Sequence, residues 1–479
     1  MILKGYIFAV IYGVLCLGIG LILYKLGLPK KYTRKSVHIL VGFEWLILYL
    51  TVGNSIHFLA VCLMFLALLL VVYFKKLMPM ISSDSDNAPG TVYYALAMSG
   101  MSVICLFVPK MILPFGIGVF CTSFGDGFAG VVGQLIKKCN PKIYKNKSLW
   151  GCVANFLFSA LSAFLISYFF NMNLNLLQCA MIGFFSVGIE IITEFGLDNI
   201  TITFGTAFLA YAFLNFSTIN YYVVPILLTP WIIAVVRQKK VLTPLGLAFA
   251  LVLDFFVSFV LGNAGFVLLL SFLVISVVFD KIKKHRKKTD DIAKHGDCRN
   301  HIQVVANGLV PMLMAVMYSA TLNHAFIVGY VAALAEALGD TAASGMGVYS
   351  RSTFDLFRMK KCKCGLSGGV SVIGTVFAIV GCAIISVIAL LFGVVNVKLM
   401  LVAMISGFLG TMFDTFLGSV FQIKYKCRVC GEIVEKEIHC EKPTEKHSGF
   451  EFFDNDVVNF FSGIFSAVLA VILFFAVMR

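Results

Sequence analysis

Two aspartates of this chain stand in the same frame of small residues. "GDGFAGVVG" (125–133) carries Asp126 and "GDTAASGMG" (339–347) carries Asp340, and both spell G-D-x-x-A-(G/S)-x-x-G. A carboxylate among small residues at the end of an apolar run has a definite chemical use. Aspartate oxygens hold Mg²⁺ through one or two protein ligands and leave the other positions to phosphate and water. Small residues let phosphate oxygens approach backbone N–H groups at a helix start, and lysines or arginines neutralise the remaining charge. Carboxylate, metal, lysine and glycine together are the parts of a phosphoryl-transfer site. The sequence has no G-x-x-x-x-G-K-(S/T), so the chemistry is not that of a P-loop enzyme.

Other polar residues gather near the ends of apolar runs. In the first half these are Arg34, Lys35 and His38 in "RKSVH", Gly90 and Thr91 in "GTVYY", Gly130 and Gly133 after Asp126, Lys147 and Ser148 in "KSLWG", and Asp198 and Asn199 in "GLDNIT". In the second they are Arg299, Gln303 and Asn307 in "RNHIQVVANG", Ser344 after Asp340, Gly369 and Ser371 in "GLSGGVSVIGT", Asp414 and Gln422 in "FDTFLGSVFQ", and Asp456 and Asn459 in "DNDVVNFFS". Asp126, Asp198, Asp340 and Asp414 are the expected catalytic carboxylates and Mg²⁺ ligands. An acceptor hydroxyl needs a base, for which the candidates are His38, whose type titrates near neutral pH, and a metal-bound carboxylate. The remaining residues are expected to bind nucleotide or phosphate. A packing role competes with each reading. Small residues at G-x-x-x-G-like spacing more often bring helices together, Glu44, Glu190 and Glu194 equally suit partners of basic groups, and Asp254 receives no role. Nine positions with four shared residues permit an internal duplication without establishing it.

The elements that position these residues follow from composition. The 479 residues are 60% hydrophobic and only 13% charged. Apolar runs such as 5–24, 55–74, 152–170, 243–282 and 456–478 approach the roughly 20 residues that a bilayer-crossing helix needs. Period-2 alternation is absent, so the fold is all-α, a polytopic transmembrane helical bundle. The runs amount to about 14–16 spans of the length that a bilayer requires. The first run is too long for a cleaved signal peptide and reads as the first span. A net charge of +14 could suit nucleic acid. With the N-terminus outside, however, all 38 lysines and arginines except Lys4, Lys110, Lys398 and Arg479 fall on one side, the positive-inside pattern. The expectation is therefore a plasma (inner) membrane protein whose sites face the cytoplasm, with no nucleic-acid partner. "DKIKKHRKK" (280–288) is then an anchor beside anionic lipid. The short polar stretch "NFSTIN" places a boundary near residue 217, giving domains 1–217 and 218–479.

Fourteen cysteines are present. Cys16, Cys62, Cys179 and Cys382 lie within apolar runs and read as packing residues. "CRVCGEIVEKEIHC" in the loop 424–447 offers Cys427, Cys430, His439 and Cys440 as ligands of a structural Zn²⁺, free reduced thiols being the alternative. His447 competes with His439, and Cys362 and Cys364 are weaker candidates for the same site.

The motifs of the first half, "RKSVHILVG", "GTVYYAL", "GDGFAGVVG", "KSLWG" and "GLDNITI" across 30–205, resemble the dolichol kinase and phytol kinase family of CTP-dependent polyprenol kinases. That family usually shows K-S-x-E-G, where this chain has Trp150, and Glu190 or Glu194 is the expected substitute. The second half resembles a different family, that of phytyl-phosphate kinase, through "LTPLGLAFA", "RNHIQVVANG", "ALGDTAASGMG", "GLSGGVSVIGT", "GFLGTMFDTFLGSVFQ", "YKCRVC" and "DNDVVNFFS" across 218–479. Its A-D-T-x-A-S-E-I-G pattern has Gly345 here in place of Glu. The resemblance implies a bifunctional enzyme in the bilayer, using CTP and Mg²⁺ to convert an isoprenoid alcohol to an isoprenyl phosphate and then to the diphosphate. The alternatives are a membrane cytidylyltransferase that forms a CDP-lipid, and a lipid transporter or flippase, which would need polar residues across the midplane. A homo-oligomer is compatible with the sequence.

Overall fold

The computed structural model describes residues 2–54, 56–75, 90–136, 138–284, 298–355, 357, 359–362 and 365–478. Residues 285–288 of the charged run, and Cys364, lie outside them. The chain forms two compact units, Met1–Gln238 and Lys239–Arg479.

The first unit contains α1 (Ile2–Lys25), α2 (Lys30–Val41), α3 (Phe43–Thr51), α4 (Ile56–Phe74), α5 (Gly90–Phe107), α6 (Ile112–Phe120), α7 (Gly127–Leu135), the antiparallel pair β1 (Lys142–Tyr144) and β2 (Lys147–Ser148), then α8 (Leu149–Phe169), α9 (Leu176–Ile192), α10 (Asp198–Asn215) and α11 (Val223–Lys239). Helices α6 and α7 are joined through a π-helical turn, Cys121–Asp126. The path from Pro109 to Leu135 is the axis of the unit, with 72% of its most apolar stretch buried. Trp45, Phe58, Phe115, Ile117 and Ile182 fill the core around it. Glycine makes that closeness attainable: a Cβ on Gly116 would stand 2.4 Å from the Trp45 ring.

The second unit contains α12 (Pro244–Lys284), α13 (His301–Thr321), α14 (His324–Gly347), β3 (Thr353–Asp355), β4 (Lys360–Cys362), β5 (Gly369–Val370), α15 (Val372–Leu391), α16 (Val397–Val420), β6 (Lys424–Lys426), β7 (Ile433–Val434), β8 (Ile438–His439), β9 (Lys442–Pro443), β10 (Glu445–Ser448) and α17 (Asn455–Val477). Strand β3 pairs with β4 and β5, β6 pairs with β7 and β10, and β8 pairs with β9, all antiparallel. Helix α14 is the axis here, 83% buried over its most apolar stretch and packed by α12, α13, α15, α16 and α17. Each unit therefore places its G-D motif on its most buried helix.

Two sequence expectations change in detail. Among the described residues, 11 helices are long and apolar enough to cross a membrane, fewer than the 14–16 counted from apolar runs. The 41-residue α12 breaks at Gly262 (φ 57°) and so joins two segments. Helix α9 has only 17 residues, and Gly42 separates the short α2 and α3. The units divide after Gln238 rather than near 217. Helix α11 stays with the first unit because Trp231 stacks on Phe184 and packs against Gly188, both of α9.

Candidate functional site

In the first unit, α2 presents Lys35 and His38 one turn apart to the π-helical turn. A widened turn leaves carbonyls available to partners outside the helix, and both side chains use them. Lys35 Nζ donates to Asp126 O at 3.2 Å, and His38 Nε2 meets Thr122 O at 3.1 Å. A carbonyl only accepts, so Nε2 carries the hydrogen and Nδ1 is the basic nitrogen of the ring. Lys35 Nζ also pairs with Asp126 Oδ2 at 2.6 Å, and His38 Nε2 lies 3.6 Å from that oxygen. Asp126 is almost fully buried, and removing one partner of such a pair costs about 3–5 kcal/mol.

A second charged group faces the first. Lys147 Nζ bonds Glu190 Oε1 at 2.6 Å and lies 3.9 Å from Asp198 Oδ2. Burial alone would depress the Lys147 ammonium, but the carboxylates of Glu190, Asp126 and Asp198 hold its pKa above the usual lysine value. It therefore stays charged at any physiological pH. Asn155 Nδ2 donates to Glu190 Oε2 at 2.5 Å, and the Asn155 carbonyl accepts from Ser159 and Ser186. Asp198 accepts from the backbone and side-chain amides of Asn199, whose own buried Oδ1 has no hydrogen-bond partner among the described residues. Gly90 lies against Asn199 and Gly196, with Thr91 half-buried beside it, and Arg34 is close enough to act on the His38 charge. Gly130 packs on the Lys35 stem. Trp150 is exposed and donates its indole N–H to Cys139 O; Glu190 reaches the lysine next to it, while Glu194 pairs with Lys145 outside the cluster.

In the second unit three carboxylates converge. Glu336 and Asp340 are one turn apart on α14, and Asp414 comes from α16; Asp414 feels the charge of both. Ser462 of α17 donates to Glu336 Oε1 at 2.8 Å and lies 3.4 Å from Asp414 Oδ2. Asn459, with its amide turned to suit its neighbours, donates to Asp414 Oδ2 at 3.2 Å. Lys283 attracts and Asp280 repels Asp340. Arg299 is held by Asp280 at 2.6 Å and by Ser276 Oγ at 3.0 Å. Asp456 is buried in the first turn of α17, beside its cap Asp454.

Several expected phosphate ligands are placed in structural contacts. Gln303 forms a capping box with Asn300, and Asn307 bonds Gln303 O within α13. Ser344 is exposed and turns its hydroxyl to Thr341 O. Gly369 sits in β5 against Thr353 and Cys362, and Gln422 is buried where the chain leaves α16. Gly345 meets the Phe279 backbone, with 3.1 Å from a Cβ there to Phe279 O. Sequence reading passed over Glu336, although its i, i+4 spacing to Asp340 puts both on one face. Asn155 and Ser159 were missed because their partners lie on other helices.

The G-D motifs share more than nine positions. A Cβ on Gly125 would stand 2.8 Å from Asn155 and 2.1 Å from Ser159; one on Gly339 would stand 3.1 Å from Ala378 and 2.6 Å from Cys382. The last glycines repeat the pattern, Gly133 at 2.8 Å from Ser148 and Gly347 at 3.4 Å from Ser371. Ser148 caps α8 by accepting from Gly151 N, and Ser371 caps α15 by accepting from Gly374 N. Counted from each capping serine, the contacts fall at the same offsets, +7 and +11. Each unit thus has a G-D helix, a short antiparallel β element (two strands in the first, three in the second) and a helix opened by S-x-x-G, packed in one register.

The loop 424–447 brings Cys427, Cys430, His439 and Cys440 together, their ligand atoms all within 4.8 Å of one another. Neither His447 nor Cys362 belongs to the group. The N–H groups of Cys430 and Val429, with His439, pull the Cys427 thiol down to about 6.

A family model for integral membrane protein DUF92 matches residues 227–467. A phytol kinase of Synechocystis sp. is 29% identical over 189 residues, 38% of this chain and 80% of that protein. Protein PGR of Arabidopsis thaliana is 30% identical over 238 residues, 43% of this chain and 81% of its own length. The chloroplastic VTE6 of the same plant is 21% identical over 235 residues, 48% of this chain and 64% of its own. No solved structure matches the chain.

Proposed function

The chain belongs to the integral membrane protein DUF92 family, and on that premise we propose that it is a CTP-dependent kinase of isoprenoid alcohols acting in two steps. The first unit makes the isoprenyl monophosphate and the second makes the diphosphate. One observation carries this reading: the same G-D helix, short β element and S-x-x-G helix recurs in both units, each time beside a cluster of buried carboxylates. The similarity to a phytol kinase supports the substrate class. The lysine and arginine asymmetry supports sites that face the cytoplasm, where nucleotides are available.

In the first unit, Lys35 and Lys147 neutralise phosphate charge, and Ser148 at the start of α8 lies beside the phosphates. A bound Mg²⁺ would supply Lewis-acid stabilisation of the transferring phosphoryl group. Asp126 and Asp198, with the unpartnered Asn199 Oδ1, would hold it, an all-oxygen donor set that suits a hard cation. His38 Nδ1 takes the proton of the alcohol as its oxygen forms the new P–O bond; the β–γ bridging bond breaks and CDP leaves. In the second unit Asp340 and Asp414, with Glu336, form the corresponding oxygen set, and the monophosphate is the acceptor.

The test supplies purified protein with CTP labelled at either the γ- or the α-phosphate and a panel of prenols. Label from the γ-position must appear in prenyl mono- and diphosphate. Transfer of the α-label would instead mark a cytidylyltransferase, and no transfer to any prenol would overturn the kinase reading.

A further inference from the structure

The lobe between α16 and α17 has no part in the proposed phosphoryl chemistry, yet it is built around soft ligands. Cys427 and Cys430 flank the tight turn from β6 to β7. There Gly431 takes a positive φ of 76°, Gly431 N donates to Cys427 O at 3.0 Å and Cys427 N donates to Glu432 O at 2.9 Å. His439 and Cys440 sit at the corresponding turn from β8 to β9, where Cys440 and Glu441 both adopt positive φ, 49° and 60°. Two consecutive non-glycine residues in that region are costly, and the second turn adopts the strain with its ligands aimed at the first. His439 Nδ1 lies 3.5 Å from Cys430 Sγ and 3.3 Å from Cys440 Sγ. Zn–S bonds of about 2.3 Å make the edge of a tetrahedron roughly 3.8 Å long, so these separations are of the right size.

We infer that Cys427, Cys430, His439 and Cys440 bind one structural Zn²⁺, which clamps the two hairpins of the lobe together. Three thiolates and a neutral imidazole give a closed tetrahedral set with no position for substrate. Binding expels the thiol protons to solvent, so occupancy rises with pH.

The clamp has a mechanical consequence. Glu435 Oε1 accepts from Ser367 N at 2.9 Å, and Lys424 Nζ donates to Ser367 O at 2.8 Å. Both residues belong to the lobe, and Ser367 lies four positions before the capping Ser371 of α15. Zinc in the lobe therefore fixes the entry to α15. On the two-step reading above, the second reaction depends on it and the first does not.

The experiment uses the full chain in detergent. Elemental analysis is expected to find about one zinc per chain, as a closed four-ligand site requires. Replacement by Co²⁺ should give the visible d–d bands of tetrahedral cobalt and a near-ultraviolet thiolate-to-metal band. Cys430→Ser and Cys440→Ser should each lose the zinc and the cobalt spectrum, whereas His447→Ala should keep both. Chelation should open the lobe to proteolysis between 424 and 448. Protein without zinc that also yields no tetrahedral cobalt spectrum on reconstitution overturns the site, whatever the kinase assay gives. Should zinc be present while neither step transfers phosphate, the site stands and the kinase reading falls.

Discussion

The two units hold their carboxylates in opposite electrostatic states. In the first, Asp126 is paired with Lys35, and Lys147 joins Glu190 to Asp198, so each of these three acids has a cation within reach. In the second, Glu336, Asp340 and Asp414 act on one another; Lys283 attracts Asp340, but the hydrogen bonds to Glu336 and Asp414 come from Ser462 and Asn459, which carry no charge. Position −4 from the motif aspartate marks the difference. It is Thr122 in the first unit, bonded to Thr203 at 2.7 Å, and Glu336 in the second. One scaffold in one register thus supports a site neutralised by lysines and a site in which three carboxylates face a single lysine among the described residues. On the proposed two-step reading, the first would receive an uncharged alcohol, and the second would need bound metal to accept a substrate that brings its own phosphate.

The largest effects should separate the units. Asp126→Asn is expected to lower monophosphate formation by about 10²–10³-fold, the cost of losing preorganised charge, while added prenyl monophosphate is still converted. Asp340→Asn or Asp414→Asn should do the reverse and let monophosphate accumulate, as read by mass spectrometry of the lipid products. If either variant stops both steps while the protein folds and inserts normally, the units share one composite site.

Glu336→Gln sharpens the contrast. Loss of one carboxylate from the oxygen set should raise the Mg²⁺ concentration that the second step needs by roughly 10–100-fold, as changes around metal ligands do. The Mg²⁺ dependence of the first step should not move. An unchanged titration in the second step would make Glu336 a packing residue.

Smaller effects are expected where each unit departs from its family pattern. Gly345→Glu must push Phe279 away and should destabilise the second unit by about 1–3 kcal/mol, as overpacking does, without improving its rate. Trp150→Glu changes an exposed position and should stay within about 0.5 kcal/mol of wild type. Thermal unfolding in detergent measures both, and a gain in stability from Gly345→Glu would contradict the tight packing of Gly345 on Phe279.

Much of this was legible in the sequence, and for physical reasons. Long apolar runs can only be helices in lipid, so the helical membrane fold followed from composition. Polar residues are costly in a membrane, which made Asp126, Lys147 and Asp198 conspicuous before any geometry. The misses also share a cause. Asn155, Ser159 and Glu336 lie within apolar helices, and their meaning depends on helices far along the chain. The π-helical turn has no composition signature, and the unit boundary moved because stacking of Trp231 on Phe184 is a tertiary event. Gly369 and Gln303 read as phosphate ligands because glycine and amide side chains serve packing and capping equally well.

The π-helical turn at 121–126 also bears on how such a chain can change over generations. Relative to an α-helix it holds one additional residue, and each residue turns an α-helix by about 100°. Loss of a single codon within 121–125 would let the segment relax to α-helix and would swing Asp126 from Lys35 toward another neighbour. The position of the acid is thus stored as a length, where substitution cannot easily erase it, whereas a one-residue deletion removes it at a stroke.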